Sequence, residues 1–126
     1  MNKTIHPSSY GGSLQAPSSK SYMQRAVAIA LLADGETQIE NADFCKDRLA
    51  ILKIASQLGA KVKISGDTVS ILGNRSYDGK TLSTGESGLG IRTFIPIASL
   101  FNQKIQLSGE SSLLKRPMNM VEGPLK

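Results

Sequence analysis

One cysteine, one histidine and no tryptophan occur in the 126 residues of this chain. A lone Cys45 excludes an internal disulfide, and with no second Cys or His near it in sequence there is no signature of a metal site. His6 is the only histidine and stands immediately before Pro7, a poor place for a general base, so histidine-based nucleophilic catalysis is not expected. Long apolar runs are missing as well: hydrophobic segments are short and broken by charge, far from the roughly 20 apolar residues of a membrane span. The opening MNKTIHPSSYGG has no apolar core of a secretory signal. A soluble, cytoplasmic protein without membrane contact is the expectation.

Aromatic residues are scarce, three Tyr and three Phe, and none alternates with Lys or Arg as a single-strand stacking platform requires. The net charge of +5 comes from fifteen basic and ten acidic residues dispersed along the chain, without a block of like charge that would read as a nucleic-acid arm. Such an excess favours anionic partners in general. The charge does not by itself choose between nucleic acid and a small phosphorylated ligand; no nucleic-acid partner is expected from the chain as a whole.

What is present is a mixture of helical and extended patterns. Lys3–Ile5 and Gly12–Gln15 read as two brief extended segments. From Lys20, the residues Met23, Ala26, Val27, Ala30 and Leu31 recur at helical spacing, with Pro17-Ser18-Ser19 as break and cap and Gly35 as stop. A strand at Thr37–Glu40 and a largely buried helix from Lys46 to Leu58, ended by Gly59, come next. Lys61–Ile64 and Thr68–Leu72 alternate polar and apolar residues around Gly66-Asp67, a hairpin pattern. A third apolar stretch, Leu89–Phe101, contains Pro96 and is expected to kink or to start its helix late. A strand at Lys104–Ser108 and a helix starting near Met118 complete the pattern. Alternating elements predict an α/β (α+β) layered fold resembling ββαβαβ units.

Three clusters carry candidate chemistry. In Pro17–Arg25, Lys20 lies where a helix start leaves N–H groups unpaired, and Ser21 and Arg25, four apart, share a face. Cations, a hydroxyl and a helix dipole there suit an anion. A P-loop is excluded, because the positions that need glycine hold Ser19 and Leu14. Thr84–Arg92 is a glycine-rich turn entering an apolar helix, of a kind that lets a phosphate approach the backbone. Leu107–Met118 ends a strand and places Arg116, a residue suited to fork onto a carboxylate or phosphate, before Pro117 at an expected helix N-terminus. Each cluster alone reads as well as capped helices and solvated loops. Together they suggest loops at one end of a sheet sharing an anionic ligand.

These clusters resemble, in order, the motifs of the EPSP synthase family: P-x-S-K-S with Arg four residues after the second Ser, G-N-A-G-T-A-M-R, and L-x-G followed by a loop ending in R-P. They stand here as Pro17–Arg25, Gly85–Arg92 and Leu107–Pro117, with Glu86-Ser87 in place of Asn-Ala and Leu89-Gly90-Ile91 in place of Thr-Ala-Met. The resemblance implies an enolpyruvyl transferase fold and transfer of the enolpyruvyl group of phosphoenolpyruvate to the 5-hydroxyl of shikimate 3-phosphate, with no metal or organic cofactor. By that resemblance Lys20 contacts both substrates, Ser21 and Arg25 hold the shikimate carboxylate, and Gly88 and Arg116 receive phosphoenolpyruvate. Asp47 and Arg92 are implied as second-rank members of the cleft. The resemblance also implies a partial N-terminal domain over residues 1–126, with residues 1–16 pairing with an absent second domain and negligible activity alone. The related transferase acting on UDP-N-acetylglucosamine carries Lys-Asn where this chain has Lys20-Ser21. That enzyme, a non-catalytic anion- or RNA-binding module, and a purely structural domain are the alternatives open at this point.

Overall fold

The computed structural model describes residues 2–74 and 76–125. In chain order the elements are α1 (Lys20–Leu32), β1 (Glu36–Ile39), α2 (Lys46–Gln57), β2 (Lys61–Ser65), β3 (Thr68–Leu72), β4 (Leu82–Ser83), α3 (Gly88–Ala98) and β5 (Leu107–Ser108). Short 3₁₀ turns follow at Ser111–Lys115 and Asn119–Val121. The mixed α/β fold expected from the alternating pattern is therefore present.

Each helix starts for a local reason. Ser19 caps α1 by accepting from the Tyr22 N–H at 3.3 Å, and Ser87 caps α3 by accepting from the Gly90 N–H at 3.0 Å. The α2 cap, Cys45, offers no side-chain hydrogen bond, but Asp47 places a negative charge in the first turn where the helix dipole favours it.

The hairpin β2–β3 turns at Gly66-Asp67, and β1 adds antiparallel to the other edge of β3, giving the order β1-β3-β2. Val69 and Ile71 of β3 are fully buried beneath the helices, as expected of alternate residues on one covered face. β4 and β5 form a separate parallel pair, Leu82 beside Leu107 and Ser83 beside Ser108. One apolar core joins α1, α2, α3 and both sheets through Val27, Leu31, Ile51, Ile54, Leu82 and Phe94.

Several boundaries differ from the sequence expectation. Residues 2–19 are almost wholly exposed and, among the described residues, the segments expected to be extended at Lys3–Ile5 and Gly12–Gln15 pair with no strand. Neither segment has a neighbouring strand to supply the hydrogen bonds that make extended chain into sheet. The last strand shrinks from Lys104–Ser108 to two residues, because its partner β4 is only two residues long. α3 starts early, at Gly88, and continues through Pro96 to Ala98, so the proline neither delays the start nor ends the helix; lacking an N–H, it leaves the Arg92 carbonyl without its usual helical donor. Near Met118, where a helix was expected to start, only the 3₁₀ turn Asn119–Val121 forms. Arg116 instead follows a 3₁₀ turn in extended conformation (φ −88°, ψ 132°), which directs it differently from a residue at a helix start.

Gly59 ends α2 as expected, with φ of 100°, and a Cβ there would lie 2.1 Å from the Asn74 carbonyl oxygen. Gly59→Ala combines a left-handed backbone with a clash against main chain. It is expected to cost more than about 1 kcal/mol, read as a lower urea midpoint at unchanged slope.

Candidate active site

β4 and β5 run parallel, so the loops leaving their carboxyl ends emerge side by side. The Thr84 N–H donates to the Ser108 carbonyl at 3.0 Å, and the Glu110 N–H donates to the Gly85 carbonyl at 2.8 Å, lashing the two loops together. Opposite them stand the first turn of α1 and one face of α2. The four segments enclose a cleft of about 690 Å³.

Its cations are Lys20, Lys46, Lys53 and Arg116, and its carboxylates are Asp47, Glu86 and Glu110. Lys20 Nζ donates to Asp47 Oδ2 at 2.7 Å. Glu110 accepts from the Ser83 hydroxyl at 2.9 Å. Among the described residues no carboxylate pairs with Lys46, Lys53 or Arg116. Four cations against three carboxylates leave the concavity with a small positive excess, which favours an anionic ligand.

Asp47 acts on Lys20 chiefly through this hydrogen bond and secondarily through its charge. Both hold the ammonium above the ordinary lysine range, against a smaller opposing effect of desolvation. Lys20 therefore remains a cation throughout the neutral range. An exposed pair of this kind contributes only about 0.2–1 kcal/mol to stability, so its consequence is the aim of the ammonium. Because the folded-state pKa is raised, the small stabilisation is present below the unfolded lysine value of about 10.4 and is lost as pH climbs through the folded one.

Behind this pair, Arg48 anchors the coil that enters α1. Arg48 is 2 % exposed; its Nη2 donates to the Ser18 carbonyl at 2.6 Å and its Nη1 to the Asp43 carbonyl at 2.8 Å, while Nη1 also pairs with the Asp43 carboxylate at 2.6 Å. A buried guanidinium thus holds the residue two before Lys20 to the helix that carries Asp47. On the far side of the cleft, a Cβ on Gly88 would sit 2.7 Å from Arg116 Nη1. The bare α-carbon is what lets the guanidinium lie against the first turn of α3.

Of the residues singled out in the sequence, Lys20, Asp47 and Arg116 line the cleft and Gly88 adjoins it through Arg116. Ser21 and Arg25 are exposed outside it; the Arg25 guanidinium lies 5.4 Å from the centre of the Tyr22 ring. Arg92 lines a separate apolar depression with Ile95, Met120 and Leu125. Sequence reasoning missed Lys46 and Lys53, although their positions around Ala50, at i, i+4 and i+7, already placed them on one helical face. Glu86, Glu110 and Ser112 fell inside the clusters singled out in the sequence but were given no role there, and Ser83 was missed.

The family model for EPSP synthase (3-phosphoshikimate 1-carboxyvinyltransferase) matches residues 6–126. The chain belongs to the EPSP synthase family. Curated relatives named 3-phosphoshikimate 1-carboxyvinyltransferase include that of Clostridium beijerinckii, 33% identical over 94% of this chain and 29% of the relative. That of Methanobrevibacter smithii is 36% identical over 94% of this chain and 28% of its own. The solved EPSP synthase of Acinetobacter baumannii shares the fold, with a TM-score of 0.74 and 24% identity over 90% of this chain and 27% of that one. The chain thus spans less than a third of the length of the relatives it matches. Its departure from the family motif at Ser87 has a structural counterpart: the hydroxyl meets the buried amide of Gln24 on α1.

Two outcomes follow from this geometry. Asp47→Asn is expected to lower the Lys20 pKa toward the ordinary lysine value in a ¹³Cε NMR titration; an unchanged value would show that the pair does not form in solution. Gly88→Ala meets only the far end of a flexible side chain, so the unfolding free energy should move by less than about 0.5 kcal/mol. Phosphate affinity should nonetheless fall as Arg116 is displaced, and titration calorimetry reads that change.

Proposed function

We propose that this chain forms the part of an enolpyruvyl transferase that transfers the enolpyruvyl group of phosphoenolpyruvate to the 5-hydroxyl of shikimate 3-phosphate and releases phosphate. Membership of the EPSP synthase family carries the reading, and the convergence of Lys20, Asp47, Gly88 and Arg116 at the carboxyl ends of β4 and β5 supports it. Lys20 contacts both substrates. Ser21 and Arg25, exposed beside this half of the cleft, hold the shikimate carboxylate in the assembled site, Gly88 and Arg116 receive phosphoenolpyruvate, and Asp47 within the cleft and Arg92 outside it play supporting parts. The remainder of the site comes from further chain that faces this domain across the cleft, with residues 1–16 pairing with it, and the enzyme works in the cytoplasm.

The reaction brings two anions together. Their repulsion must be cancelled before the 5-hydroxyl oxygen can bond to C2 of phosphoenolpyruvate, and fixed cations do this without the reorganisation that water would require. Lys20, aimed by its hydrogen bond to Asp47, and Arg116, lying against Gly88, are suited to that task and to the charge of the tetrahedral adduct. The chemistry further needs an acid that protonates the methylene carbon and a base that accepts the hydroxyl proton. Glu86 and Glu110 are the uncommitted and the hydroxyl-bonded carboxylates of this half of the cleft.

Phosphate release by the full-length protein tests the proposal. With shikimate 3-phosphate and phosphoenolpyruvate supplied together, Lys20→Met and Arg116→Lys are each expected to lower kcat/KM by at least about a hundredfold, the usual cost of losing one group that stabilises developing charge. Arg116→Lys keeps the charge and loses only the fork, so its defect measures geometry. Turnover at the parental rate in either variant would sink the assignment.

A further inference from the structure

α1 brings Lys20 to the cleft and the first turn of α3 backs the Arg116 guanidinium, and these cations act on one ligand only if the two helix starts keep a fixed separation. A single buried polar pair joins them. Gln24, one turn beyond Lys20 and 1 % exposed, meets Ser87, the cap of α3 and 4 % exposed. Gln24 Nε2 donates to Ser87 Oγ at 3.0 Å, Ser87 Oγ donates to Gln24 Oε1 at 3.1 Å, and the Gly90 N–H donates to the same Oγ at 3.0 Å. The hydroxyl has one donor and two acceptor positions, and all three are filled.

We infer that the Gln24–Ser87 pair is a positioning device that sets the spacing between the Lys20 and the Gly88–Arg116 sides of the anion cleft. Three observations converge on it. Gln24 is the fully buried polar residue on an otherwise apolar face of α1, a place where Leu would pack at no electrostatic cost. Ser87 immediately precedes Gly88, against which the Arg116 guanidinium lies. A doubly hydrogen-bonded amide and hydroxyl also fix distance and rotation together, whereas apolar packing of α1 on α3 leaves sliding less restricted. Neither residue touches the ligand; both act through Lys20, Gly88 and Arg116.

The inference rests on the reading of this cleft as an anion site. Its test uses the full-length protein, with inorganic phosphate and phosphoenolpyruvate as probes in titration calorimetry and thermal unfolding run in parallel. Ser87→Ala is expected to weaken phosphate and phosphoenolpyruvate binding roughly tenfold, since small misplacements of a binding group cost one to two orders of magnitude. Ser87→Thr, which retains the hydroxyl, should stay within about twofold of the parent. Gln24→Leu combined with Ser87→Ala removes both partners, so it should unfold at a higher temperature than Ser87→Ala alone. It should still bind no more tightly, a split that a merely structural role does not produce. Ile71→Val, in the β3 core, provides a destabilised control whose phosphate affinity stays parental. Parental affinity in the double variant, or a parent that does not bind phosphate, overturns the inference. A parent that binds phosphate but turns over no substrate defeats the enzymatic reading alone, and the comparison of affinities among the variants still decides this one.

Discussion

The placement of α1 between α2 and α3 is the constraint on which the rest of this domain depends. Its buried face, Met23, Val27, Ala28, Ala30 and Leu31, touches both other helices and the sheet, and its alanines allow that close approach. Apolar burial by itself has no direction and tolerates sliding. Orientation comes from polar contacts at the helix starts: Arg48 holds the coil before α1 to α2, and Gln24 holds α1 to the cap of α3. A buried guanidinium or amide is costly without partners. Displacement of α1 in either direction would leave such groups unsatisfied.

The same constraint explains why the cleft is an anion site and where it lies. Parallel strands deliver their following loops to one end, and two helix starts are held against those loops. Backbone N–H groups, dipole ends and long cationic side chains therefore accumulate there without any residue being deeply buried as a lone charge. Lys20 is aimed by its hydrogen bond to Asp47. Arg116 owes its place to the missing side chain at Gly88, a steric permission more than an attraction.

Much of the local structure was legible in the residues. The helical period from Lys20, the alternation around Gly66-Asp67 and the stop at Gly59 each follow from near neighbours in the chain, and each element lies within a residue or two of its expected position. Strand pairing was less legible. Lys3–Ile5 and Gly12–Gln15 have adequate strand patterns, yet a strand exists only where another presents its hydrogen-bonding edge. Pro96 looked like a reason for a kink or a late start, yet the Ser87 cap starts α3 at Gly88 and the helix runs on through the proline to Ala98.

At the cleft, the sequence by itself determined the kinds of group available: three clusters of cations, hydroxyls and glycines at helix starts, ordered like the motifs of one family, with no Cys, His or aromatic set for other chemistry. Residue type and short-range spacing suffice for that, because capping and helix faces are local properties. Only the tertiary structure decided which groups meet. Lys20 joins Asp47 across 27 positions, Gln24 joins Ser87 across 63, and Arg25 and Arg92, equally cationic, are left outside. Contacts at such separations are set by how three helices pack on one core, and packing is a property of the whole chain that no local window contains.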